Sequence, residues 1–423
     1  MKKAYDTYKD SGIESIGDVP SYWELLPVRY YVTLVKGTKP KELTDINTGF
    51  PYLTMDYLRG RDGKTTMYPS SIDGLELIDE NEILVLWDGA NAGEFLLSKK
   101  GYLGSTMAKI TVNPLKYDKQ YFYFLLKTIE KVSKDYANGT TIPHFDSKVL
   151  TDYYYPCPSL VEQKAIAEFL DNKCGKIDSL VADLESQVAD LEVLKKSEIS
   201  RIVTKGLNLN VPLKDSGIEW IGNIPVDWEC AKIKHLAKLS PRTEMPMPNT
   251  IISYMPMECL RNGKIVSRTI RLADAIPGLN AFQNGDIVMA KVTPCFENGN
   301  IAIAENLQNG VAVGSSEVFV VRPINIDTKF LFYTFQNENF RLKCISTMYG
   351  TGGLKRIDSN FFNNVLIPYP SFAEQHEIAY YLDSYCEKVD AIVKEIQVQI
   401  SDLKSYKQSL ISEVVTGKIK IID

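Results

Sequence analysis

The 423-residue chain has only three histidines, His144, His235 and His376, and their wide separation offers no metal cluster. Its seven cysteines, Cys157, Cys174, Cys230, Cys259, Cys295, Cys344 and Cys386, contain no Cys-x-x-Cys pair. An odd, scattered set argues against a disulfide framework and against a zinc ribbon. No run of about 18 apolar residues occurs, so no transmembrane helix is expected. The start, Met1-Lys2-Lys3-Ala4-Tyr5-Asp6, lacks the apolar core of a signal peptide, and the expected location is the cytoplasm. Positive charge is in deficit overall, with a net charge of −5.

What the chain does have is itself, twice. Lys9-Asp10-Ser11-Gly12-Ile13-Glu14 returns 205 residues later as Lys214-Asp215-Ser216-Gly217-Ile218-Glu219. The match continues from Ser15-Ile16-Gly17-Asp18-Val19-Pro20-Ser21-Tyr22-Trp23-Glu24 to Trp220-Ile221-Gly222-Asn223-Ile224-Pro225-Val226-Asp227-Trp228-Glu229. A second pair, Pro158-Ser159-Leu160-Val161-Glu162-Gln163 and Pro370-Ser371-Phe372-Ala373-Glu374-Gln375, lies at a shift of 212. That shift carries Ile166-Ala167, Leu170-Asp171 and Ile177-Asp178 onto Ile378-Ala379, Leu382-Asp383 and Val389-Asp390. The interiors, around 25–150 and 230–360, share only scattered features. Like borders around unlike interiors suit a duplicated frame that carries two different readers.

Ser159 and Ser371, each with Glu three residues on, read as capping boxes opening helices that reach about Leu170 and Leu382, with Cys174-Gly175 a candidate break in the first. An amphipathic stretch follows in each copy. Ile177, Leu180, Val181, Leu184, Val188, Leu191 and Leu194 answer Val389, Ile392, Val393, Ile396, Ile400, Leu403 and Tyr406. Spacings of three and four make a coiled-coil seam, and the two helices are expected to pair with each other. Ile177, Leu180, Leu184, Val188 and Leu191 would face Val389, Ile392, Ile396, Ile400 and Leu403. The modules read as mixed α/β: strands at 82–87, 286–290 and 318–321, and packed helices beginning near Gln120 and Phe330. The aromatics of those helices read as core. The expected division is 1–157, first recognition module; 158–206, first helical region; 207–369, second module; 370–423, second helical region.

Charge is unevenly placed. Residues 25–64 hold seven bases and four acids, and residues 232–271 eight bases and two acids. The helical stretch 162–201 holds nine acids and six bases. A net negative chain can therefore still present basic modules to phosphate. Gly350-Thr351-Gly352-Gly353-Leu354-Lys355-Arg356 and Asn138-Gly139-Thr140-Thr141-Ile142-Pro143-His144 are loops rich in small residues and donors. Candidate DNA contacts are Lys36, Lys39, Lys41, Arg59, Arg61, Thr106, Lys109, Thr140, Thr141 and His144 in the first module. In the second they are Arg242, Arg261, Lys291, Thr293, Asn298, Gly352, Gly353, Lys355 and Arg356.

These residues resemble the specificity subunit of type I restriction–modification systems. The resemblance rests on 214–229, on the two Pro-Ser-x-x-Glu-Gln helix starts, and on Leu86-Trp87-Asp88-Gly89-Ala90-Asn91-Ala92-Gly93 and Thr293-Pro294-Cys295-Phe296-Glu297-Asn298-Gly299. It implies two target-recognition domains, each reading half of a split double-stranded DNA site, and two helices paired antiparallel in a pseudo-twofold repeat. It also implies docking of two methyltransferase subunits that use S-adenosylmethionine, and of restriction subunits that use ATP and Mg²⁺. The chain itself would bind no cofactor. One border departs from its twin, with Ser15 where the second copy has Trp220. An intrinsic methyltransferase is disfavoured because neither an Asn/Asp-Pro-Pro-Tyr/Phe loop nor a Gly-rich cofactor loop occurs; Asn113-Pro114-Leu115 is the nearest fragment. Short acid-x-Lys triplets such as Asp146-Ser147-Lys148 arise by chance in a charged chain. The rival reading is a coiled-coil adaptor that binds only proteins. Since the interiors differ, the expected DNA target is bipartite and not palindromic.

Overall fold

The computed structural model describes residues 4–13, 16–60, 66–137, 143–152, 154–350 and 354–422. It divides into two compact units, Met1–Glu185 with Val398–Asp423, and Ser186–Gln397. Each unit is built on the same frame. In the first, the hairpin Tyr8–Asp10 with Asp18–Pro20 comes before the pairing of Glu24–Pro27 with Tyr154–Cys157. In the second, Leu213–Asp215 pairs with Asn223–Pro225, and Glu229–Lys232 with Leu366–Tyr369.

Inside each frame lies a four-stranded antiparallel sheet of the same order. It runs Val32–Lys36, Met107–Val112, Ile83–Leu86, Phe95–Leu97 in the first unit. In the second it runs Ala237–Leu239, Val318–Pro323, Ile287–Ala290, Ile301–Ile303. The apolar runs at 83–86 and 287–290 follow from burial of both faces, since alternate side chains enter different cores. Ile83 and Val85 join the core that holds Tyr121, Phe122 and Leu125, while Leu84 and Leu86 join a smaller one with Leu53, Ile78 and Met107. Ile287 and Met289 pack with Phe330, Phe335 and Phe340, while Val288 and Ala290 pack with Met255, Phe282 and Val320.

The modules diverge on the outer side of that sheet. Among its described residues the first unit has only short pairs there, Leu43–Thr44 with Tyr68–Pro69 and Leu77–Ile78 with Gly101–Tyr102. The second has another four-stranded sheet, ordered Arg268–Arg271, Ile251–Met255, Val311–Gly314, Asn280–Gln283, with the middle pair parallel. The interiors thus share more than their sequences suggest, because a buried strand demands apolar volume and not particular residues.

The helices beginning near Gln120 and Phe330 are Lys119–Asp135 and Thr328–Gln336, and Asp118 and Asp327 cap them through two backbone N–H groups each. The two long helices are Leu160–Lys205 and Phe372–Val415, of 46 and 44 residues. This corrects the expectation of shorter helices ending near Leu170 and Leu382. Gly175 sits inside an unbroken helix, where a glycine costs only about 1 kcal/mol against alanine, and packing on either side outweighs it. Ser159 and Ser371 do cap, each accepting a hydrogen bond of 3.3 Å from the N–H of the Glu three residues on.

The capping glutamates, however, turn away from the helix starts. Glu162 accepts from the hydroxyls of Tyr5 at 2.7 Å and Tyr22 at 3.1 Å. Glu374 accepts from Trp228 Nε1 at 2.9 Å, and its burial raises its pKa. The neighbouring glutamines are fully buried. Gln163 Oε1 accepts from Asp118 N at 2.7 Å and Gln375 Oε1 from Asp327 N at 2.8 Å. Each motif therefore ties three things together in its unit: helix start, module border and the cap of the frame helix.

In each unit the two long helices run antiparallel. Lys407 binds Asp178 at 2.6 Å and Lys404 binds Glu185 at 2.8 Å in the first unit. In the second, Lys195 binds Asp390 at 2.5 Å and Tyr381 donates to Glu198 at 2.9 Å. Lys407–Asp178 and Lys195–Asp390 are the same pair at a shift of 212. The apolar seam is narrower than expected. Ile177, Val181 and Leu184 are buried, as are Val389, Val393 and Ile396, while Val188, Leu191, Ile400 and Leu403 are half-buried. Leu180 and Ile392 are exposed at 47% each, which corrects their placement in the seam. A heptad through 177, 181, 184 and 188 leaves position 180 on its flank.

Candidate nucleic-acid interface

In each unit the frame sheet ends in a cluster of polar side chains, built from the same three backbone segments. The chain leaving the strand Ile83–Leu86 meets the loop before Phe145, with Asp88 bridged to His144 and Phe145 N donating to Trp87 O at 2.8 Å. In the second unit Val292 is bridged to Arg356, and Ile357 N donates to Lys291 O at 3.0 Å. The third segment precedes the longest sheet strand. Thr106 O accepts from Trp87 N at 2.8 Å, and Glu317 O from Lys291 N at 3.0 Å.

The side chains on this common scaffold differ. In the first unit Asp88 is the hub: Lys36 Nζ lies 2.9 Å from one carboxylate oxygen and His144 Nδ1 2.6 Å from the other. Burial raises the pKa of Asp88, but Lys36 and His144 outweigh that effect, so the carboxyl sits below its ordinary value. Lys36 also stands over the Trp87 ring at 5.5 Å. In the second unit Arg356 forms a fork on Glu317, with Nε and Nη2 each 2.9 Å from a carboxylate oxygen. The guanidinium holds Glu317 below the usual carboxylate range. Beside it, Thr293 N donates to Lys355 O at 3.0 Å and Lys355 N to Thr293 Oγ1 at 2.9 Å. Lys291 stands over the Phe319 ring at 5.8 Å.

The structure thus brings Lys36, Thr106 and His144 together, and likewise Lys291, Thr293, Lys355 and Arg356. Other candidates are engaged within the protein. Arg59 binds Glu94 at 2.6 Å, and Lys109 is ion-paired with Glu76. Arg261 is exposed and donates to its neighbour's Leu260 O at 2.9 Å. Lys39 and Lys41 are exposed and form no ion pair among the described residues; Arg242 and Asn298 are exposed as well. Arg61, Thr140, Thr141, Gly352 and Gly353 lie outside the described residues. Sequence reasoning missed the carboxylates Asp88 and Glu317, because an acid draws no attention in a search for phosphate contacts. It also missed Trp87 as a side chain of the cluster.

Among the described residues no group of His, Cys, Asp or Glu is placed to hold a metal ion, and no helix is long and apolar enough to cross a membrane. Residues 23–188 and 225–402 each match the family described as "Type I restriction modification DNA specificity domain". The chain belongs to this family. The two matches fall one on each copy of the frame, so the DNA specificity domain is present twice in tandem. Relatives include the type I restriction enzyme MjaVIII specificity subunit of Methanocaldococcus jannaschii, 29% identical over 415 residues, covering 95% of this chain and 94% of that one. The EcoAI specificity subunit of Escherichia coli is 32% identical over 229 residues, covering 51% of this chain and 38% of its own length. A solved structure from work on complex assembly and conformational transition of the type I R-M system shares the fold. It has a TM-score of 0.68 at 13% identity and covers 95% of this chain and 99% of that one.

Proposed function

We propose that residues 1–157 and 207–369 each read one half of a bipartite, asymmetric double-stranded DNA site. In the same proposal the helical regions 158–206 and 370–423 set the spacing of the halves. The observation that carries this is the pair of equivalent clusters with different chemistry, Lys36–Asp88–His144 and Arg356–Glu317, on one repeated scaffold. Lysine, histidine and arginine suit phosphate and guanine edges, and a carboxylate suits the amino group of cytosine. Unlike side chains at like positions favour unlike half-sites.

The helices also favour partners in two copies. Leu180 and Tyr406 are exposed in the first unit at 47% and 56%, and Ile392 and Leu194 in the second at 47% and 54%. Each pair is the other's equivalent at a shift of 212. In this reading each pair helps to dock one methyltransferase subunit, and restriction subunits join the assembly. S-adenosylmethionine, ATP and Mg²⁺ belong to those partners, and this chain is a non-catalytic subunit.

Binding of labelled duplex DNA by the chain with its methyltransferase subunits, titrated against salt, tests the proposal. Log affinity should fall linearly with log salt, with a slope of about −0.9 per phosphate neutralised. Affinity independent of salt would favour a protein-only adaptor.

A further inference from the structure

In the second unit the loop Thr293–Asn300 leaves the frame sheet and returns to it, with Phe296 N donating to Val292 O and Asn298 N to Pro294 O, both at 2.9 Å. Its tip is exposed at Pro294, Glu297 and Asn298. The Asn298 side chain makes no hydrogen bond among the described residues, so its amide is free to meet a ligand.

One side chain from outside the loop grips this tip. Arg341, on the helix Glu338–Ser346, donates through Nη2 to Phe296 O at 3.1 Å and Glu297 O at 2.6 Å. Its guanidinium lies 6.0 Å from the centre of the buried Phe296 ring. A Cβ built on Gly299 would lie 3.4 Å from Arg341 Nη1, so the closing glycine rests against the same group. Arg341 forms no ion pair among the described residues, and burial pulls its pKa down. A desolvated guanidinium outside any ion pair is costly, and what it gains here is the two loop carbonyls and the ring, with the charge of Glu338 a smaller compensation. The carbonyls it holds belong to the two residues just before Asn298. In the first unit the closing glycine, Gly93, lies instead against Ser133, where a Cβ would be 2.7 Å from the serine oxygens.

We infer that Arg341 is a positioning residue for DNA reading by the second module. It fixes the backbone at Phe296 and Glu297 so that the Asn298 amide is presented to an adenine edge at one position of that module's half-site. An asparagine amide pairs with adenine N6 and N7 through two hydrogen bonds, and such a pair discriminates only if the amide plane is held. The inference rests on the DNA-reading function proposed above.

The test uses the chain in complex with its methyltransferase subunits and a library of substituted half-sites, with methylation as readout. Asn298→Ala should reduce the preference for A·T at one position of the second half-site by about tenfold or more. Arg341→Ala should relax the same position, and the double variant should be no worse there than Asn298→Ala, because the two residues act as one unit. Arg341→Lys should relax the position less than Arg341→Ala, since one ammonium nitrogen can still donate to both carbonyls, as Nη2 does, but gives up the rest of the guanidinium beside the ring and Gly299. The first half-site should be unchanged throughout. Thermal melting checks folding. If Arg341→Ala does not fold, Gly299→Ala, strained at a φ of +76°, supplies the same reading of the loop. Unaltered preference in these variants, equal loss at both half-sites, or additive effects of Arg341→Ala and Asn298→Ala would overturn the inference. A wild-type complex that recognises no site would instead overturn the function on which it rests.

Discussion

Replacing Gln375 with alanine should destabilise the second unit far more than a side chain of its size suggests. The residue is fully buried. Its Oε1 accepts from Asp327 N at 2.8 Å and its Nε2 donates to Pro370 O at 2.9 Å. Truncation leaves both groups without partners, at about 1–3 kcal/mol each, so the expected loss is about 4 kcal/mol. Asp327 also caps the helix Thr328–Gln336 through Lys329 N and Phe330 N, so its displacement weakens that helix start. For a unit of this size about 4 kcal/mol corresponds to a melting shift of about 8–16 °C. Gln163→Ala should cost the first unit about as much, because Gln163 holds Asp118 N and Pro158 O in the same way, while Lys116 O, its third partner, keeps the Cys157 thiol as a donor. Calorimetry and urea unfolding of the purified chain read both losses. Losses below about 1 kcal/mol in both variants would refute the claim that these glutamines bolt the frame through buried hydrogen bonds.

Further outcomes follow from the same contacts. Gly417→Ala should destabilise more than Gly206→Ala: both have positive φ, but the added Cβ would lie 2.4 Å from the Pro20 ring in the first case and 3.1 Å from Trp228 in the second. Urea midpoints should rank them, with Gly417→Ala costing about 2 kcal/mol or more. Burial raises the pKa of Glu374, so its charged form is disfavoured in the folded state, and acidification through that raised pKa should relieve a cost. Glu374→Gln keeps an acceptor for Trp228 Nε1; it should match or exceed wild-type stability at neutral pH and lose that gain on acidification, as melting curves between pH 7 and the carboxylate range would show. Glu317 behaves oppositely: Arg356 lowers its pKa, so its stabilising contribution is present above the ordinary carboxylate pKa and lost as pH falls through the depressed one. Glu317→Gln should remove that acid-side loss. Inserting residues into a long helix should change the preferred spacer between half-sites in a methylation assay, whereas an unchanged spacer would sink the proposed role of the helices.

The duplication, the helix starts and the central strands were legible because each rests on local chemistry: a serine cap, a proline border, an apolar run buried on both faces. Three features were not. Glu162 and Glu374 fit a capping box by spacing, but Tyr5, Tyr22 and Trp228 offer stronger donors, and those come from borders distant in sequence. Gly175 reads as a break, yet packing along the helix overrides its propensity. The common inner sheet was hidden because its strands share burial and not identity. At the candidate site the cations were readable, while Asp88, Glu317 and Arg341 were not. Two of these are acids that orient bases, and the third is a helix residue whose importance lies in two carbonyls of another segment.

The most direct measurement is single-molecule mapping of methylated adenines in a host that carries this chain with the methyltransferase subunit proposed to dock on it. Two short, unlike half-sites at a fixed separation are predicted, and replacing the first module by that of a relative should change one half alone. A palindromic or continuous site, or a methylation pattern indifferent to which module is exchanged, would contradict the account.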